Sequence, residues 1–251
     1  MRVVISSGHG LYVRGARGLI DEVDEARHVT NRVAEILQGA DVPVNVFHEN
    51  TARSQRGNVN NIIQYHNGQI RDLDVSVHFN DVAGGMREAG IGVEVLYRSG
   101  KDKARQIAGR VARAISDASG LILRHQWRAV AGTVPSTAIG FLNNTTAPAI
   151  LIEVCFVNSR TDVDIYQQHF EEICQAIAGG ISGRVITPAP APTPQPSSWA
   201  RKAWKWGVGM GFIDDINPQG TPTREQMITL LHRYHEARHI TVYSLPMVDI
   251  P

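Results

Sequence analysis

The amino-acid sequence predicts an α/β fold: a mostly parallel sheet with helices on both faces, followed by a small all-α domain at the carboxyl end. Three observations predict it. Up to residue 186, short runs rich in β-branched residues alternate with stretches of helical periodicity, the order that builds parallel sheets with crossover helices. A charge-free segment then places proline at every second position from 188 to 196, which blocks helix and sheet alike and leaves an extended polyproline-II spacer. Beyond it the pattern resumes in another style, as two helical stripes around a glycine-rich turn. The expected division is a domain over 1–186, a linker over 187–198 and a second domain over 199–251.

The first strand is expected at Val3–Ser6, a β-branched run that feeds Ser6-Ser7-Gly8-His9-Gly10. A helix over Glu22–Leu37 follows, because Glu22, Ala26, Val29, Val33 and Leu37 recur at steps of three and four and share one face. Val44–Phe47 reads as a strand, Thr51–Gln69 as a helix and Leu73–His78 as the third strand. In the run Asp74 to Asn80, period-two alternation sets Asp74, Ser76, His78 and Asn80 on one face and Val75, Val77 and Phe79 on the other. A central strand with one wholly polar face is unusual unless that face lines a site. A strand at Ile91–Tyr97, a helix at Lys101–Ser119, a strand at Ala149–Val154 and a helix at Thr161–Ile181 complete the first domain.

Composition narrows the function classes. Of 251 residues, 25 are Lys or Arg and 24 Asp or Glu, for a net charge of +1, so there is no dense basic surface for nucleic acid. Hydrophobic residues at 43% and charged residues at 20% exclude a disordered or fibrous chain. No run of 18 apolar residues occurs, so no membrane-spanning helix is expected. Two cysteines, Cys155 and Cys174, are too few for a disulfide framework. Met1-Arg2 leads into only three apolar residues before Ser6, which does not make a secretory leader. The expectation is synthesis in a cytoplasm, with any work outside needing another exit route.

Ligands in open α/β sheets collect beyond the carboxyl ends of the strands, and three strand ends here carry reactive groups. His9 stands between two glycines, His78 ends the polar face of the third strand, and Glu153 drops one carboxylate into the apolar run Ala149 to Phe156. A buried carboxylate is costly alone, so Glu153 should meet a cation, a set of donors or water. One further carboxylate would complete a His-His-carboxylate zinc site with a fourth position open. Glu22, at the head of the buried helix stripe, is the first choice for it and Glu25 the rival. Cys155 lies two residues from Glu153 and is expected on the same strand face, which leaves a thiol hydrolase as a competing reading.

These residues resemble the zinc-dependent N-acetylmuramoyl-L-alanine amidases of the amidase-3 type, found in autolysins and phage endolysins. Gly8-His9-Gly10 matches the family's first loop and Glu22 its helix glutamate. Ser76-Val-His78-Phe-Asn80 matches its central strand, and Pro148-Ala-Ile-Leu-Ile-Glu153-Val-Cys-Phe156-Val-Asn158 its closing one. The four matches fall in the family's order and span about residues 2–180. The first loop departs from the usual Asp-x-Gly-His-Gly-Gly, reading Ser-Ser-Gly-His-Gly-Leu, and the helix lacks the usual Glu-Lys pair. The resemblance implies that His9, Glu22 and His78 hold zinc and that Glu153 is general base and then general acid. It also implies a peptidoglycan substrate, the amide joining N-acetylmuramic acid to the L-alanine of the stem peptide.

Residues 199–238 are similar to one S-layer homology repeat: Trp199-Ala-Arg-Lys-Ala203, Gly211-Phe-Ile213 and Thr223-Arg-Glu-Gln226 follow its pattern. That likeness implies binding to an anionic secondary polymer of Gram-positive walls. Trp199, Ala203, Trp206 and Met210 make one helical stripe, and Met227, Leu230, Leu231 and Tyr234 the other; the tryptophans are expected in the core and His232, His235 and His239 on a solvated face. Together the two resemblances imply an endolysin released to the wall through a holin-type pore. The remaining alternative is a wall-binding module without catalysis.

Overall fold

The computed structural model describes residues 1–125, 130–186, 200–210, 212–213 and 224–242. The chain divides into two units, Met1–Thr187 and Pro188–Pro251. The linker expected at 187–198 lies outside the described residues, as do Trp199 and Thr223.

Apolar runs too buried to face water pair into one six-stranded sheet. Its strands are β1 (Val3–Gly10), β2 (Val44–Glu49), β3 (Leu73–Asn80), β4 (Glu94–Arg98), β5 (Thr133–Ser136) and β6 (Ala149–Phe156). They lie in the order β2-β1-β3-β6-β4-β5. β2, β1, β3 and β6 run parallel; β4 is antiparallel to β6 and parallel to β5. The expected α/β class and mostly parallel sheet are what forms. β5 went unread because Thr133–Ser136 is only four residues long and contains Pro135, which demotes a run to an edge.

The helices are α1 (Glu22–Gly39), α2 (Gln55–Asn67), α3 (Asp102–Ser119), α4 (Gly140–Asn144), α5 (Arg160–Gln168) and α6 (Phe170–Ser182). The helix expected over 161–181 is thus two helices, broken at His169. The helix expected from Thr51 starts at Gln55, because the Glu49 carboxylate accepts from Thr51 N (2.9 Å) and Ala52 N (3.0 Å) and holds that stretch as a loop capped by Ser54.

The two sheet faces are covered unequally. On one, Val75, Val77, Phe79, Ile150 and Ile152 pack with the apolar stripes of α1, α3, α5 and α6 in the main core. On the other, Leu151 and Ala149 meet Ile62 of α2 and Phe141 and Leu142 of the short α4 in a much smaller cluster. Each fully buried aliphatic side chain contributes roughly 1.5–3 kcal/mol of transfer free energy, so the first face carries most of the stability. The second face is left thin, and polar side chains occupy it.

Part of that polar face is structural. His66 of α2 places Nδ1 2.8 Å from Asp74 Oδ1 and Nε2 3.0 Å from Ser6 Oγ, and Arg71 Nε donates to Asp74 Oδ1 at 2.6 Å. All of Ser6, His66 and Asp74 are sealed from solvent. The array has the connectivity of a nucleophilic triad but no access for a substrate; it ties α2 to β1 and β3.

In the second unit α7 (Arg201–Gly209) and α8 (Arg224–Val242) are the described helices. Phe212 is buried between them, its ring 5.2 Å from Trp206 and 6.1 Å from Tyr234, and Arg233 Nη1 donates to its carbonyl at 3.3 Å. Trp206, expected in the core, is 53% exposed, and Met227, Leu231 and Ile228 of α8 are also more than half exposed. His232 is also exposed, 3.7 Å from Glu236.

Candidate metal centre

Three elements distant in sequence deliver one side chain each to the carboxyl end of β1 and β3. His9 ends β1 with a left-handed backbone, φ +58°, a conformation that costs a non-glycine residue energy and persists where the surroundings impose it. The glycines beside it are there for close approach: a Cβ on Gly8 would collide with the His78 ring, and one on Gly15 with the Glu22 carboxylate. Asp21 caps α1 by accepting from Val23 N at 3.0 Å, which fixes Glu22 as the first helical residue and turns it inward.

Glu22 is the centre of the group. Its Oε1 lies 2.9 Å from His78 Nδ1 and its Oε2 3.4 Å from His9 Nε2. Ala16 N donates to Oε2 at 2.6 Å and Phe79 N to Oε1 at 3.3 Å, so the carboxylate is oriented by backbone. His78 Nε2 is 3.0 Å from Ser76 Oγ, and the two imidazoles meet edge to face with centroids 5.2 Å apart. One donor atom from each of His9, Glu22 and His78 lies within 4.8 Å of the others. Glu25, the rival, points elsewhere: its Oε2 accepts from Tyr166 OH at 2.7 Å.

The electrostatics follow from this packing. Burial and the neighbouring His78 push the His9 imidazole below the usual histidine range, against the pull of Glu22. Burial also opposes charge on His78, but the hydrogen bond and attraction of Glu22 outweigh it and raise the group. Glu22 is held below the usual carboxylate range, its desolvation more than offset by His78 and His9.

β6 brings Glu153 opposite His78 in the sheet register. Its Oε2 is buried with no hydrogen-bond partner among the described residues. Burial pushes this carboxyl up to about 8 against the attraction of His78, with Glu22 and Glu94 adding repulsion. His9, His78 and Glu153 line one cavity of about 380 Å³, with Ser76 on its floor, Gln55, Asn58 and Val59 of α2 on one side and Ile139, Gly140 and Phe141 on another. Sequence reasoning found the polar floor of this cavity and missed its walls. The α4 wall had no signal, since five residues, Gly140–Asn144, are too few to show a helical period.

The structure corrects the expectation for Cys155. A register irregularity in β6, where His78 and Asn80 pair with Glu153 and Phe156, inserts one extra residue. Cys155 therefore packs in the main core rather than beside Glu153, and burial raises its thiol well above the ordinary value. A thiol in that state is not a nucleophile, which removes the thiol-hydrolase reading. Cys155→Ala is expected to leave the rate of hydrolysis within about twofold while lowering stability by about 1 kcal/mol for the lost buried sulfur, checked by parallel rate and denaturant measurements.

The donor set suits a divalent ion. Two imidazole nitrogens and a carboxylate are zinc-type ligands, and His9 Nδ1, like Glu153 Oε2, is buried with no hydrogen-bond partner among the described residues.

Known proteins place this geometry in context. An uncharacterized 38.4 kDa protein of Clostridium perfringens is 31% identical over 190 residues, 72% of this chain and 51% of its own length. A second uncharacterized protein, from C. perfringens strain 13 / Type A, is 27% identical over 232 residues, 89% of this chain and 64% of its own. The chain thus spans between half and two thirds of the length of these curated relatives. Among solved structures, the catalytic domain of the CD27L endolysin targeting Clostridia difficile superposes with a TM-score of 0.63 at 22% identity, covering 74% of this chain and 99% of that one. The N-acetylmuramoyl-L-alanine amidase of Clostridium difficile 630 gives 0.61 at 20%, covering 72% and 95%. At these identities the structures show a shared fold. Residues 3–183 match the family model for N-acetylmuramoyl-L-alanine amidase, and the chain belongs to that family.

Proposed function

We propose that the first unit is a zinc-dependent peptidoglycan amidase that hydrolyses the bond between N-acetylmuramic acid and the L-alanine of the stem peptide. The observation that carries this reading is the meeting of His9, Glu22 and His78 within 4.8 Å beside a buried, unpartnered Glu153 oxygen in the same cavity. His9, Glu22 and His78 hold the ion. Zinc supplies Lewis-acid polarisation of the scissile carbonyl and acidification of water at that point.

The protein's own residues do the rest. Ala16 N and Phe79 N hold the Glu22 carboxylate, and Ser76 holds the far side of the His78 ring, so the ligands are preorganised. Glu153 takes the proton of the attacking water and returns it to the leaving amine, and its position opposite His78 suits that double role. Residues of α2 and α4 wall the cavity on two sides. Mass analysis of digested peptidoglycan tests the bond specificity. Free L-alanine amino termini and intact glycan strands are the expected products; new reducing sugar ends or cleaved peptide crosslinks would contradict it.

We further assign the second unit to wall attachment through an anionic secondary polymer, and the whole chain to an endolysin-type role. The support is the S-layer-homology-like pattern of 199–238 and the Phe212-centred packing of Trp206 and Tyr234. Deleting 187–251 is expected to leave turnover of soluble muropeptides within about twofold and to abolish most pelleting with purified walls, a loss of tethering rather than of chemistry. Equal loss of both would contradict the assignment.

A further inference from the structure

Beside the cavity, a buried carboxyl and a mostly buried guanidinium stand unpaired with each other. Glu153 Oε2 and Arg124 Nε are both sealed from solvent without a hydrogen-bond partner among the described residues, although Arg124 is close enough to pull electrostatically on Glu153. Buried carboxylates and guanidinium groups left to themselves pair, since each alone bears a desolvation cost of several kcal/mol.

A second carboxylate holds the guanidinium. β4 runs antiparallel to β6 with Glu94 directly opposite Glu153, so Glu153 is flanked by His78 on one side and Glu94 on the other. Glu94 is 6% exposed, and both its oxygens are committed: Oε2 lies 2.9 Å from Arg124 Nη1, and Oε1 accepts from Asn80 Nδ2 at 2.8 Å. The guanidinium is fixed from its flat side as well, 4.6 Å over the Phe156 ring. Backbone bonds from Arg124 N to Val93 O (3.1 Å) and from Gly132 N to Arg124 O (3.1 Å) anchor the residue to the starts of β4 and β5.

We propose that Glu94 is a positioning residue that occupies the Arg124 guanidinium and thereby leaves the Glu153 carboxylate unpaired and aimed into the reaction cavity. The inference rests on the assignment of Glu153 as proton carrier. Without the Glu94 charge, the guanidinium is left with the Glu153 carboxylate, whose charge it already feels, and an ion pair with Arg124 withdraws Glu153 from the cavity. Glu94 thus acts on the rate through Arg124 and never touches substrate.

The test compares wild type, Glu94→Gln and the double variant Glu94→Gln/Arg124→Gln on a soluble muropeptide, with zinc content and thermal unfolding read on the same samples. Glu94→Gln is expected to lower kcat at least about tenfold, the size of one lost charge-assisted contact, with KM within twofold and zinc at one per chain. The double variant, which has no guanidinium left to capture Glu153, is expected to recover to within about threefold of wild type. A crystal structure of Glu94→Gln should show Arg124 within about 3 Å of a Glu153 oxygen. Glu94→Gln that melts earlier but turns over at the wild-type kcat would make Glu94 merely structural and overturn the proposal, as would a double variant no better than the single. Should Glu94→Gln fail to fold, Glu94→Asp keeps the charge and shortens its reach: an intermediate kcat supports the proposal and a full kcat overturns it. An active wild type with unaffected variants sinks this inference alone; an inactive, zinc-loaded wild type sinks the function reading and this inference with it.

Discussion

Glu153→Gln is expected to keep the fold and one zinc per chain while losing about 100- to 10,000-fold in kcat, the usual worth of a positioned general base and acid. The substitution is nearly isosteric, and the fold asks nothing of the charge: Oε2 makes no hydrogen bond among the described residues that a Gln amide would break. An amide cannot accept the proton of the attacking water or return one to the leaving amine, so the loss falls on kcat with little change in KM. The thermal midpoint should rise slightly, because a buried group held near neutrality at the cost of desolvation becomes permanently neutral. Steady-state kinetics on a soluble muropeptide with parallel metal analysis checks all three. Wild-type kcat in this variant would remove Glu153 from the mechanism.

His9→Gly is expected to be metal-poor and inactive yet no less stable when metal is absent. His9 sits at φ +58°, where glycine is at ease and histidine is strained by roughly 1 kcal/mol. Its Nδ1 has no hydrogen-bond partner among the described residues, and its Nε2 stands 3.4 Å from Glu22 Oε2, so the relief of strain at residue 9 is set against the loss of that one long contact. Loss of one of three ligands should cut the metal's several kcal/mol of transition-state stabilisation, about 4 kcal/mol being a thousandfold in rate. In denaturant with chelator the variant should unfold within about 1 kcal/mol of wild type. With excess zinc, wild type alone should gain stability, since only an ion that binds the native state shifts its unfolding. A His9→Gly protein that binds one zinc and hydrolyses normally would show that the strain at residue 9 serves something else.

The residues on the sheet floor were legible in the sequence, and the reasons are specific. His78 and Ser76 were readable because Asp74 to Asn80 alternates with period two and packs its apolar half in the main core. Glu22 was readable because it heads the stripe Ala26, Val29, Val33 and Leu37, all buried. Glu153 was readable as one carboxylate in an apolar run. Glu94 carries that same signal between Val93 and Val95, and the rule that found Glu153 would have found it.

Other features depended on geometry that spacing does not encode. The polar face of β3 is shared between two tasks: Ser76 and His78 line the cavity, while Asp74 belongs to the sealed array with His66 and Ser6. Alternation assigns a face, not a partner. Cys155 was misplaced because a one-residue bulge in β6 reverses the side-chain alternation beyond Glu153, and a bulge leaves no mark on composition. The His169 break between α5 and α6 is equally silent, since both helices keep their apolar faces toward one core. The reversed direction of β4 was hidden for a related reason: a largely buried strand reads alike whichever way it runs.

The most direct measurement of the central claim is a crystal of the full chain grown with zinc, with diffraction recorded on both sides of the zinc absorption edge. One strong anomalous peak is expected about 2 Å from a nitrogen of His9, a nitrogen of His78 and an oxygen of Glu22, with the Glu153 carboxylate facing it across the cavity. A peak elsewhere, or none at those three side chains in protein that hydrolyses peptidoglycan, would contradict it.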